Sequence, residues 1–179
     1  AYTAGHVLGA AMFLIQIENV NILYTGDYSR EEDRHLQPAE IPNVRVDILI
    51  SESTYGVNVH ESRAERERIF RNIVTDVVRK KGKCLLPVMI SGRAQELLLI
   101  LEEWWGKEEN KDLRDTKIYF ISPLAAKILE VFKKNTNIMG KKIKNKFLTE
   151  GTKKPFDLEY IISVKNYDEM VEKGYDESK

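Results

Sequence analysis

Cysteine is almost missing from this sequence. Cys84 stands alone, so no disulfide can form within the chain and a disulfide-stapled fold is excluded. The thiol lies in the apolar run Cys84-Leu85-Leu86-Pro87-Val88, which predicts a buried strand and fits a reducing, intracellular setting. Histidine is nearly as scarce, with only His6, His35 and His60. A zinc hydrolase centre needs several His or Asp ligands around an open coordination position, so these residues cannot complete one alone. Nor is there a charge of one sign. Lys plus Arg and Asp plus Glu are equal at 28 each, so net charge points to no polyanionic partner. No apolar run is long enough to cross a bilayer, and nothing predicts a membrane association. Internal repeats and low-complexity segments are also lacking.

The order of apolar runs carries the organisation. Ala11–Ile17 and Asn21–Tyr24 read as antiparallel strands joined by a tight turn at Glu18-Asn19-Val20. Val46–Ser51 is a nearly continuous apolar run, as a strand covered on both faces requires. Apolar residues at helical spacing then predict a helix over Arg63–Lys80 with Gly82 beyond its end, and another from about Ala94 to Trp105. Strands are expected at Lys83–Val88, Lys117–Ile121 and Leu158–Val164. Further helices are expected at Leu124–Phe132 and around Ile138, Met139 and Ile143. Alternating strand and helix from about residue 46 onward predicts an α/β fold with a parallel sheet, whereas residues 1–45 read as the strand-rich end of another layer. The transition is placed between Glu52 and Glu61.

Three residues at strand ends suggest a site, His6 and Asp27 as metal ligands and Glu52 as an acid beside them. His6 follows a glycine just before the first hairpin strand and Asp27 follows the second, so the hairpin carries both toward one sheet edge. A carboxylate such as Asp27 can bridge two cations about 3.5–4 Å apart. Gly-Asp after a strand is also an ordinary turn pair, and a single His is commonly structural. Glu52 ends a buried-type strand where open α/β sheets place their ligands. In an apolar cleft its pKa would rise. Bonded to an imidazole it would hold that ring charged, and as a cap of the polar turn after it, it would be structural.

Gly92-Arg93 takes a strand directly into a helix, where a phosphate can dock beside Arg93; an ion pair is the alternative role. Ser122 reads as a helix cap before Pro123. Lys127, Lys133, Lys134, Lys141, Lys142, Lys144 and Lys146 against Glu130 form a basic run that suits nucleic acid or a solvated face. His35 and His60 are assigned to no metal.

Five segments, in this order, resemble the metallo-β-lactamase and β-CASP nucleases. They are Ala4-Gly5-His6-Val7-Leu8-Gly9-Ala10-Ala11-Met12-Phe13, Leu23-Tyr24-Thr25-Gly26-Asp27-Tyr28-Ser29-Arg30, Glu32-Asp33-Arg34-His35-Leu36, Glu52-Ser53-Thr54-Tyr55-Gly56, and Gly92 through Leu101. The resemblance is dense over about residues 1–105. It implies that residues 1–55 are the C-terminal part of a metallo-β-lactamase αββα sandwich and 56–179 part of a β-CASP α/β domain with a mainly parallel sheet.

By the same resemblance His6 is a ligand of one zinc and Asp27 bridges two zinc ions. Glu52 is then the acid opening the β-CASP segment, with a catalytic role beside Asp27. The implied function is zinc-dependent cleavage of pre-mRNA at its 3′-end processing site before polyadenylation, in the nucleus, among other subunits of a processing complex. The family's His-x-His-x-Asp-His cluster and later histidines are not in these residues, so the chain reads as an inactive part of a longer enzyme. An Integrator-type RNA endonuclease and a noncatalytic scaffold of the same fold are the alternatives.

Overall fold

The computed structural model describes residues 1–149 and 155–177. In chain order its elements are β1 (Tyr2–Thr3), β2 (Ala11–Ile17), β3 (Val20–Tyr24), β4 (Ile48–Ile50), α1 (Arg63–Arg79), α2 (Arg93–Trp105), β5 (Ile118–Ile121), α3 (Ala125–Lys134), α4 (Lys141–Thr149), β6 (Ile161–Val164) and α5 (Tyr167–Glu172). Short 3-10 turns occupy Glu108–Leu113 and Thr136–Ile138. The chain divides into two compact units. One comprises Ala1–Val59 with Asn135–Gly151, the other His60–Lys134 with Thr152–Lys179.

The first unit holds a sheet in the order β1-β2-β3-β4. β2 and β3 form the expected hairpin: Ile17 pairs with Val20, leaving Glu18 and Asn19 as the turn, and Glu18 takes a left-handed φ of 52°. Strand alternation turns Met12 and Leu14 inward against Leu23, where Ala4 and Ala39 complete a small core flanked by Tyr2, Tyr28 and Val46. Each large buried side chain here contributes about 1.5–3 kcal/mol. The opposite side is also apolar but open, with Phe13, Ile15 and Ile17 on β2 and Tyr24 on β3 all exposed. β4 joins parallel to β3, yet Ile48, Leu49 and Ile50 are exposed as well. The expectation of a strand covered on both faces is therefore corrected: β4 is the edge of its sheet, and neither face gains a covering layer among the described residues.

In the second unit α1 starts at Ser62, whose side chain accepts the Glu65 N–H at 3.3 Å. It ends one residue short of the expected Lys80, and Lys81, at φ 60°, takes the left-handed position ahead of Gly82. α2 is the most buried helix because apolar residues occupy more than one face. Ala94 and Leu98 pack with Phe120, Ala125 and Ile161, while Leu101 and Trp105 pack with Val74 and Leu113. β5 and β6 pair in parallel, Ile118 with Ile161 through Ile121 with Val164. That pairing requires a crossover, and α3 lies in the intervening chain.

The strand expected at Lys83–Val88 is a second correction. No ladder forms there among the described residues, Leu85 and Met89 are strongly exposed, and Cys84 is exposed instead of buried. An apolar run becomes a strand only when a neighbour takes its backbone hydrogen bonds, and among the described residues the ladder in this unit contains β5 and β6. The fold is mixed α/β with small sheets.

Candidate metal centre

The chain leaves β1 through Ala4 into a tight loop closed by Ala4 N–H donating to Ala10 O at 3.0 Å and Ala10 N–H donating to Val7 O at 3.1 Å. Two consecutive residues in it are left-handed, Gly5 at φ 67° and His6 at φ 59°. That region is rare for a side chain other than glycine, and such outliers gather at functional sites. The loop is also held from behind. A Cβ on Gly5 would sit 2.7 Å from Ser29 O and 3.0 Å from Gln37 O, so the 29–39 segment occupies the space any larger residue would need.

β3 delivers the second group. Thr25 N–H donates to Ile50 O at 3.0 Å, extending the β3–β4 pairing, and left-handed Gly26 (φ 55°) turns the chain to Asp27. The hairpin thereby brings His6 Nε2 to 3.7 Å from Asp27 Oδ2, with the two side chains 43% and 68% exposed. Two donors each about 2.0–2.2 Å from one zinc ion can lie up to roughly 4 Å apart, so this pair fits a shared cation. An imidazole and a carboxylate are also the donor types zinc takes.

Glu52 follows β4 in the same unit. Its Oε1 accepts the Tyr28 N–H at 2.9 Å, so the residue after Asp27 is fastened to the acid that ends the neighbouring strand. The Thr54 hydroxyl, then the Tyr28 N–H, hold the Glu52 carboxyl below the usual carboxylate range, and the nearby His6 acts in the same direction. Of the alternatives open for Glu52, a raised pKa is the one not met: these donors favour the charged form more than partial burial opposes it. Glu52 is thus built as a fixed anion.

Arg93 lies in the other unit, exposed at the first position of α2 behind Gly92, whose φ of 97° only glycine adopts readily. Ser122 acts as expected of a cap, its Oγ accepting the Leu124 N–H at 3.2 Å. Three of the seven lysines of the basic run have acid partners: Lys133 meets Asp157 at 2.7 Å, Lys134 meets Glu130 at 3.6 Å and Lys142 meets Glu32 at 4.0 Å. The side chain of Lys146 lies outside the described residues.

Sequence reasoning passed over two supports. Gln95 is fully buried, its Oε1 accepting the Gly92 N–H and its Nε2 donating to Ile90 O, both at 2.8 Å. Asp33 is buried too, with Oδ1 accepting the N–H groups of His35 at 3.0 Å and Leu36 at 2.5 Å. The signal for Gln95 was its place three residues after the cap, and for Asp33 the habit of Asp of bonding backbone two residues on.

Residues 94–179 match the Beta-Casp domain. Over 97% of this chain, the sequence is 47% identical to Cleavage and polyadenylation specificity factor 73 of Drosophila melanogaster, of which it covers 25%. It is 50% identical to Cleavage and polyadenylation specificity factor subunit 3 of Dictyostelium discoideum, again over 97% of this chain and 22% of the relative. The Endoribonuclease YSH1 of Yarrowia lipolytica is 49% identical over 97% of this chain and 21% of its own length. The chain thus spans a quarter or less of these relatives. His6, Asp27 and Glu52 precede the matched domain. Over residues 94–179, just under half of its length, the chain is similar to the Beta-Casp domain family.

Proposed function

We propose that this chain is part of a nuclear, zinc-dependent endoribonuclease that cleaves pre-mRNA at its 3′-end processing site before polyadenylation, working with other subunits of a processing complex. The observation that carries this reading is near-half identity over 97% of the chain to proteins named as endoribonucleases and as cleavage and polyadenylation factors. In this reading residues 1–55 are the C-terminal part of a metallo-β-lactamase core and 56–179 part of the β-CASP domain.

His6 would hold one zinc and Asp27 would bridge two, with the remaining donors supplied by other parts of the protein. When bound, zinc supplies Lewis-acid polarisation of the phosphodiester oxygens. The chain's own residues do the rest of what is assigned here. The left-handed turn at Gly5-His6 aims the imidazole at Asp27. Glu52, kept ionised, anchors Tyr28 and thereby the backbone that carries Asp27, and adds negative potential beside His6. Arg93, at a helix N-terminus, offers a phosphate contact to RNA. The chain alone, with two zinc donors in this site, is expected to cleave nothing.

The test is Asp27→Ala in the full-length protein. Zinc content should fall and cleavage of a synthetic pre-mRNA should be lost while circular dichroism stays unchanged. Wild-type zinc and wild-type cleavage in that variant would remove Asp27 from the chemistry.

A further inference from the structure

We infer that Asp33 is a positioning residue for His6, acting through the 29–39 loop; this rests on His6 being a zinc ligand. The strain at His6 has to be maintained by something that fixes Gly5, since two successive left-handed residues relax unless their surroundings hold them. What fixes Gly5 is the backbone of Ser29, Gln37 and Ala39, all within 3.3 Å of where its Cβ would be. That segment is tied back on itself and to the strand: Ala39 N–H donates to Ser29 O at 2.7 Å, and Ser29 N–H donates to Ala4 O at 2.9 Å.

The loop is also held close to a second glycine. Gly140 N–H donates to His35 O at 3.0 Å, and a Cβ on Gly140 would come to 2.9 Å from Leu36 O. The loop backbone thus packs closely against two glycines, Gly5 and Gly140. Its shape depends on a buried turn, in which one Asp33 oxygen takes the N–H groups of His35 and Leu36 and lies 3.4 Å from His35 Nδ1. A buried carboxylate with these bonds sets where Gln37 and Ala39 fall, hence where Gly5 and the imidazole after it point. Groups that orient a metal ligand without touching the metal typically change its affinity about 10- to 100-fold when removed.

The experiment is zinc affinity by chelator competition on the full-length protein, at a temperature where circular dichroism shows each variant folded. Asp33→Ala should bind zinc about tenfold more weakly. Asp33→Asn, which retains an acceptor oxygen for the two N–H groups, should recover most of that loss. Wild-type affinity in Asp33→Ala, or an equal loss in Asp33→Asn, overturns the assignment. If Asp33→Ala does not fold, Gly140→Ala pushes on the same loop backbone and should weaken zinc in the same way; unchanged affinity there also overturns it. His6→Ala is the control. Undiminished zinc in that variant defeats the reading of His6 as a ligand itself, and Asp33 has then nothing to position.

Discussion

Glu52 Oε1 accepts the backbone N–H of Tyr28 at 2.9 Å, so the end of β4 is laced to the residue immediately after Asp27. The bond is stronger while the carboxylate is charged. Because the folded-state pKa is lowered, the stability it contributes is present above the unfolded carboxylate value and is lost as pH falls through the lower folded value.

Thr54 is the first cause of that lowering, so Thr54→Val should raise the Glu52 midpoint toward the ordinary glutamate value. Carbon-detected NMR titration of the Glu52 carboxyl reads this directly. A midpoint unmoved by the substitution would leave the hydroxyl without the role given to it.

Gly5 and Gly9 are both left-handed, but only Gly5 is crowded, since nothing lies within 4 Å of a Cβ on Gly9. Gly9→Ala should cost about 1 kcal/mol from backbone strain alone. Gly5→Ala should cost about 2 kcal/mol more, in the range of overpacking. Urea denaturation of the two variants compares them, and equal midpoints would mean that the 29–39 loop yields easily.

Removing the Gln95 amide leaves Ile90 O and Gly92 N–H without their partner at the entrance to α2. Gln95→Ala should destabilise by about 2–3 kcal/mol. Faster amide exchange should be confined to the first turn of α2; exchange that rises uniformly would show a global loss instead of a local support.

Arg93→Ala in the full-length protein should weaken RNA binding and lower the salt dependence of log K by about one, the effect of a single lost phosphate contact. Binding measured across a salt series decides it. An unchanged slope assigns the guanidinium to structure.

The elements that were legible beforehand are those whose signal is local. The helix over Arg63–Arg79 shows in apolar residues recurring every three or four positions, and the β2–β3 hairpin shows in two apolar runs with a turn between them. The meeting of His6 and Asp27 followed from that hairpin, because antiparallel strands return the chain to the edge it left. The segment at Lys83–Val88 was misread for the complementary reason. Its composition suits a strand, but a strand is a relation to a neighbour that composition does not specify. The close packing around Gly5 was hidden in the same way, since it consists of backbone atoms from a loop well downstream. For Glu52 the direction of the pKa followed from which donors reach the carboxyl, and both Thr54 and Tyr28 do.

The uncovered apolar side of the first sheet has a practical outcome at the bench. Phe13, Ile15, Ile17, Tyr24, Ile48 and Ile50 together make a surface that water wets poorly. Prepared by itself, this polypeptide should light up a hydrophobic dye and self-associate as its concentration rises. Replacing Ile15 and Ile17 with threonine, which keeps the branching a strand favours, is the economical route to a well-behaved sample.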